Sequence, residues 1–171
     1  METGTNNLDV RRHNKQAVLK LLYRQRKSTR KEVAEKLGLS FPTVTQLMKE
    51  LQEDGLVEVV GQNESTGGRR AFLNAIVSNS RASVGVSVSM SNTMLVLLNM
   101  GLNVVERIEY SMPFANSPGY WSWLSEQVNE LLERNEIPAK SVLGIGISFP
   151  GIVSSIGDSL EFAPTLDVDE I

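Results

Sequence analysis

Residues 28–58 read STRKEVAEKLGLSFPTVTQLMKELQEDGLVE, two helical patterns on either side of a two-residue step. Thr29 stands three positions before Glu32, the spacing of a capping box, and Gly38 falls where a left-handed C-cap residue closes a short helix. After Leu39, Ser40 is placed to cap a second helix, with Pro42 in its first turn, where proline is tolerated. Val44, Leu47, Met48 and Leu51 then recur at helical spacing as one apolar stripe. The stretch predicts helix, tight turn, helix.

Working outward, NKQAVLKLLYRQRK (14–27) repeats Ala17, Val18, Leu21 and Leu22 at the same period, with cations opposite, and predicts a preceding helix. If the stripe of the third helix faces the first two, then Phe41, Pro42, Thr43, Thr45, Gln46 and Lys49 are left outward. A recognition helix presents its N-terminal half to the major groove, where Thr and Gln hydrogen-bond base edges, Pro or Thr touches a thymine methyl and Lys reaches a phosphate. Ser40, Pro42, Thr43, Thr45, Gln46 and Lys49 are therefore the predicted DNA-binding set on this helix. A solvated face on an ordinary three-helix bundle would share the pattern.

Downstream, LVEVV (56–60) and RAFLNAI (70–76) are β-prone runs joined by a Gly/Asn/Ser-rich loop. They predict a hairpin directly after the recognition helix, with STGGRR (65–70) in its loop. Such a hairpin is a wing: its glycines let the backbone approach a narrow groove, and Arg69 and Arg70 suit the negative potential of the minor groove. A phosphate loop is the weaker reading, because the lysine and the following helix of that motif are missing.

Charge favours nucleic acid over the bland bundle. The 171-residue chain has a net charge of −3, yet residues 10–49 hold eleven Lys/Arg against Glu32 and Glu35, a local +9. Residues 81–171 hold four Lys/Arg against eleven Asp/Glu, a local −7, so two domains with different partners are expected. No cysteine is present, which removes disulfides, thiol nucleophiles and cysteine-bound zinc, and fits a cytoplasmic protein. Neither a signal peptide nor a membrane span is legible.

In the acidic part, β-rich runs near 82–90, 93–100 and 104–111 are separated by Ser91–Asn92 and Gly101–Asn103, predicting a three-stranded antiparallel meander. GYWSWLSEQVNELLERN (119–135) puts Trp121, Leu124, Val128, Leu131 and Leu132 on one helix face, and both tryptophans read as packing. SVLGIGISFPG (141–151) is a near-continuous apolar run, the pattern of a buried parallel strand.

In this order, NKQAVLKLL, the stretch from Ser28 to Glu58 and STGGRR resemble the N-terminal half of the ROK (repressor, open reading frame, kinase) transcriptional regulators. The resemblance implies an α/β chain. A winged helix-turn-helix DNA-binding domain over residues 1–77 would be followed, over 78–171, by the first half of an actin-like (ribonuclease H-like) βββαβ lobe. It further implies a repressor of carbohydrate-metabolism genes that binds double-stranded operator DNA as a homodimer and responds to a sugar or sugar phosphate. The family's kinases carry an Asp-x-Gly-x-Thr type phosphate loop on the first hairpin of this lobe. Here Ser87 stands at the aspartate position, with Ser89 and Met90 at the small-residue positions, so no carboxylate remains to organise Mg²⁺. That argues against the alternative, a ROK-type sugar kinase with an appended DNA-binding-like domain, and no catalytic residue, metal ligand or cofactor is expected. GIGISFPGIVSSIGDSLEFAPTL (144–166) resembles the segment beside the sugar pocket and implies Gly151 and Thr165 as effector-binding positions, Thr165 standing where the family often has Asn. A plain turn after a strand explains Pro150–Gly151 equally well. The sequence stops at Ile171, before the family's second lobe, so the resemblance implies an incompletely covered sheet and a tendency to self-associate.

Other motifs fail on their own terms. Gly146-Ile147-Ser148-Phe149 is followed by Pro150 and does not suit the turn of a nucleophile elbow. His13, the only histidine, reads as a surface residue, and Asp167, Asp169 and Glu170 as a solvated tail. Gly144-x-Gly146 lacks the third glycine and the following helix of a dinucleotide fingerprint.

Overall fold

The computed structural model describes residues 7–63, 70–153 and 160–162. The chain divides into two compact units, Met1–Ser80 and Arg81–Ile171.

In the first unit, α1 (Asn7–Gln25) precedes a two-residue strand β1 (Ser28–Thr29), α2 (Arg30–Leu37) and α3 (Phe41–Glu53), then the hairpin strands β2 (Val57–Gln62) and β3 (Phe72–Ile76). The local chemistry sets the helix ends. Thr29 Oγ1 accepts from the Glu32 N–H while Glu32 accepts from the Thr29 N–H at 2.7 Å, a complete capping box. Gly38 takes φ 63° at the end of α2, a left-handed conformation that lets the chain turn at once into the Ser40 cap of α3. Val18 and Leu22 of α1, Val33 of α2, and Val44, Leu47, Met48 and Leu51 of α3 close over Val57 as one core. The fully buried pair on α1 is Val18 and Leu22; Ala17 and Leu21 flank it half-buried.

The sheet of this unit has the order β1-β3-β2, antiparallel throughout, and β1 is an element that the sequence pattern did not predict. Asn74 of β3 explains how so short a strand is held. Fully buried, it donates to the Ser28 and Phe72 carbonyls at 3.4 and 3.2 Å and accepts from Gln52 Nε2 of α3 at 3.2 Å.

The second unit runs β4 (Ala82–Val88), β5 (Thr93–Asn99), β6 (Val104–Tyr110), α4 (Pro118–Arg134), β7 (Val142–Ser148) and a small pair β8 (Ile152–Val153) and β9 (Leu160–Phe162). Strand order in the main sheet is β6-β5-β4-β7, with the expected meander and β4 parallel to β7. This βββαβ order is that of the first part of an actin-like lobe. Ala82, Val84, Val86 and Val88 alternate inward from β4 and pack with Leu95, Leu97 and the α4 residues Leu124, Val128, Leu131 and Leu132. Of the aromatics on α4, Tyr120 is the buried one, and its hydroxyl shares a 2.8 Å hydrogen bond with the buried Thr93. Trp121 and Trp123 pack half-buried against the same core.

Strand β7 corrects one expectation. It is parallel, but it is not buried: Leu143, Ile145 and Ile147 are 67%, 52% and 43% exposed. Among the described residues β7 pairs on one side only, with β4, and Ile145 and Ile147 lie outside the cluster that α4 covers. An apolar run marks a strand made for two covered faces, and among the described residues nothing packs over Ile145 and Ile147.

Candidate nucleic-acid interface

Helix α3 buries its Val44, Leu47, Met48 and Leu51 face and leaves Phe41, Pro42, Thr43, Gln46 and Lys49 exposed along the other. Ser40 caps the helix by accepting from the Thr43 N–H at 3.2 Å, and the two hydroxyls share a further 2.8 Å hydrogen bond. That pair ties the first turn together and leaves the Thr43 methyl and the Pro42 ring as apolar contact surface. Thr45 differs from its predicted place. It is half-buried and its Oγ1 is shielded from solvent with no hydrogen-bond partner, so this hydroxyl is turned away from any base edge.

Gln46 and Lys49 are both held from one turn further along. Lys49 Nζ lies 3.7 Å from Glu53, an exposed pair that yields readily to a phosphate. Gln46 Nε2 donates to Glu50 Oε1 at 3.0 Å. Glu50 in turn sits under two cations of α1: Arg11 bonds both of its oxygens, Nε at 3.3 Å from Oε2 and a terminal nitrogen against Oε1, and Lys15 reaches Oε2 at 3.0 Å and Asp54 at 3.2 Å. The Arg11 hydrogen bond, followed by those of Lys15 and Gln46, holds the Glu50 carboxyl down at about 2. Glu50 is therefore an anion at any working pH.

Beside the N-terminus of α3 lies a groove of about 560 Å³ lined by Thr29, Arg30 and Lys31 from β1 and α2, Phe41 from α3, and Arg70, Ala71 and Phe72 from the wing. Three cations and two exposed aromatic rings meet there. The fold thus brings Arg70 to the same end of the unit as the exposed residues of α3, whereas Arg69 lies outside the described residues. Arg30, Lys31 and Phe72 were not among the predicted contacts. The first two were visible only as part of the basic total, and Phe72 only as a strand residue; pairing of β3 with β1 is what sets all three around one groove.

In the second unit, Ser89 occupies the turn between β4 and β5, where its hydroxyl donates to the Asn92 carbonyl at 3.0 Å, and no carboxylate stands at Ser87, Ser89 or Met90. Gly151 is an exposed bend just after β7, and Thr165 lies outside the described residues. No group of three His, Asp or Glu side chains fit to hold a metal occurs among the described residues, nor is any helix long and apolar enough to cross a membrane.

Residues 11–58 match the family model described as winged helix-turn-helix DNA-binding. Over 160 residues the chain is 24% identical to the DNA-binding transcriptional dual regulator NagC of Escherichia coli strain K12, covering 94% of this chain and 39% of that protein. The xylose repressor of Bacillus subtilis strain 168 is 25% identical over 145 residues, 84% of this chain and 38% of the repressor. The crystal structure of a ROK family transcriptional regulator, a homologue of the E. coli MLC protein, superposes with a TM-score of 0.70 over 94% of this chain and 41% of that one, at 16% identity. Over most of its length the chain is similar to ROK regulators. It spans about two fifths of the length of the relatives it matches. Its first unit is a winged helix-turn-helix of the DNA-binding kind.

Proposed function

We propose that this chain is the DNA-reading and part of the sensing portion of a cytoplasmic, sequence-specific transcriptional regulator, a repressor of carbohydrate-metabolism genes. The observation that carries the reading is the juxtaposition at one end of the first unit. The exposed N-terminal half of α3 stands beside a groove that gathers Arg30, Lys31 and Arg70 from helix and wing. Side chains with hydrogen-bonding and methyl groups to offer base edges are flanked by cations to hold phosphates, which is how a recognition helix divides its labour.

Operator DNA is the partner, bound by two copies of the chain on an inverted repeat, with Pro42, Thr43, Gln46 and Lys49 in the major groove and Arg69 and Arg70 at the wing. The names of the relatives support a sugar as the effector of the second unit, with Gly151 and Thr165 as its candidate contacts. A sugar that binds one arrangement of the dimer better would shift the spacing of the two recognition helices and so the affinity for the operator.

Selection from a random duplex DNA library at moderate salt tests this. The expected result is an enriched inverted repeat with half-sites separated by whole helical turns. Retention with no enriched sequence would leave only an electrostatic surface and would overturn the reading.

A further inference from the structure

Gln46 is exposed on the face of α3 assigned to bases, yet its side chain is not free to choose its orientation. An ionised carboxylate only accepts hydrogen bonds, so the end of the Gln46 amide that faces Glu50 must be the NH₂ group, and Nε2 sits 3.0 Å from Glu50 Oε1. Nor can the carboxylate swing away, because Arg11 grips both of its oxygens from α1 and Lys15 holds one of them at 3.0 Å. One N–H of Gln46 is thereby spent within the protein. What remains to offer a base pair is one N–H donor and one carbonyl acceptor, side by side.

We propose that Glu50 is a positioning residue that makes Gln46 a reader of adenine and excludes guanine. This rests on the reading of α3 as the recognition helix. In the major groove adenine presents the N7 acceptor beside the N6 donor, the complement of the pair that Gln46 has left. Guanine presents N7 and O6, two acceptors. It needs two donors from one side chain, and the second N–H of Gln46 is already bound to Glu50 while its carbonyl would face O6. Released from Glu50, the amide could turn both N–H groups toward guanine. Arg11 and Lys15 act through Glu50 and touch no base in this scheme.

The experiment starts from the operator selected by the unaltered chain. Gln46→Ala identifies the base pair that Gln46 reads, as the position where its preference relaxes. At that pair the unaltered chain is expected to bind adenine about tenfold or more tightly than guanine, the discrimination of one bidentate contact. Glu50→Gln and Glu50→Ala are expected to bring the ratio below about threefold, because the first replaces an obligate acceptor with a group that donates as well as accepts and the second removes it. Loss of a carboxylate near phosphates tightens binding to every duplex alike, so the adenine-to-guanine ratio is the readout and overall affinity is not. A second measurement needs no variant at position 50: 7-deazaadenine at the pair, which lacks the N7 acceptor, should weaken the unaltered chain several-fold and leave Gln46→Ala unaffected. Full adenine preference in folded Glu50→Gln, preference for another base at the Gln46 pair, or indifference of the unaltered chain to 7-deazaadenine would each overturn the inference while leaving the operator reading standing. Absence of any enriched sequence would overturn both.

Discussion

Glu50 and Asn74 show how single polar side chains determine what the first unit can do. Glu50 joins α1 to α3 with its carboxyl held at about 2, against an ordinary 4.5, chiefly by the Arg11 hydrogen bond and then by Lys15 and Gln46. A carboxyl depressed by folding favours the folded state when ionised; its contribution is complete above about 4.5 and is lost as pH falls toward about 2. The expected outcome is that Glu50→Gln melts below the unaltered chain at pH 7, and that the gap closes progressively between pH 4.5 and pH 2. Arg11 is half exposed, so the gap should also shrink in concentrated salt. Thermal melts of both chains at half-unit pH steps decide it, and a gap that stays constant through that window would remove Glu50 as the linked group. Asn74 acts differently, saturating donors and acceptor inside the core to pin β1, β3 and α3 together. Neither role was legible in the sequence. Arg11 and Lys15 lie 39 and 35 positions from Glu50, and an asparagine in a β-prone run reads as a weak strand residue until its neighbours in space are known. Thr45 was misplaced for a related reason: helical spacing predicts the direction of the Cβ, while the half-buried side chain tucks its hydroxyl inward.

The helices were the readable elements because their ends and faces are set by neighbours in sequence. Thr29, Glu32, Gly38 and Ser40 do in the structure what their spacing predicted, and the stripe on α3 is buried in full. Strands depend on distant partners. β1 is two residues long and exists only because β3 returns beside it, and β7 is exposed despite its apolar composition because, among the described residues, β4 is its one strand neighbour. The return of β3 also creates the basic groove at the base of the wing, so that groove is a consequence of strand pairing. If Arg30, Lys31 and Arg70 each hold a phosphate there, each alanine substitution weakens binding about equally for specific and non-specific duplexes. The slope of log affinity against log salt should become shallower by about one for each cation removed. Titrations of Arg30→Ala and Arg70→Ala at four salt concentrations test the assignment; loss of specificity with an unchanged slope would mean that these residues touch bases instead.

Basic and acidic halves of the chain correspond to two units with separate cores, one closed by α1–α3 over Val57 and the other by α4 over β4 and β5. The charge asymmetry of the sequence, +9 over residues 10–49 against −7 over 81–171, runs along the same two units. What charge could not supply was whether the cores share residues. Among the described residues the two buried clusters have none in common, which gives the division an energetic meaning. Leu131 is fully buried in the second cluster, and Leu131→Ala removes three carbons from a closely packed site, a loss of about 2–5 kcal/mol by comparison with other buried leucines. That loss should fall on the second unit alone. Calorimetry of the variant is expected to move the transition of the acidic unit down in temperature while the affinity of the chain for non-specific duplex DNA, which reports the folded basic unit, stays within twofold. Met48→Ala, in the first cluster, should do the reverse: DNA retention falls and the acidic unit keeps its transition. If Leu131→Ala lowers both together, the cores are thermodynamically coupled. A signal received in the acidic unit could then reach the recognition helix through folding stability itself, as well as through the spacing of a dimer.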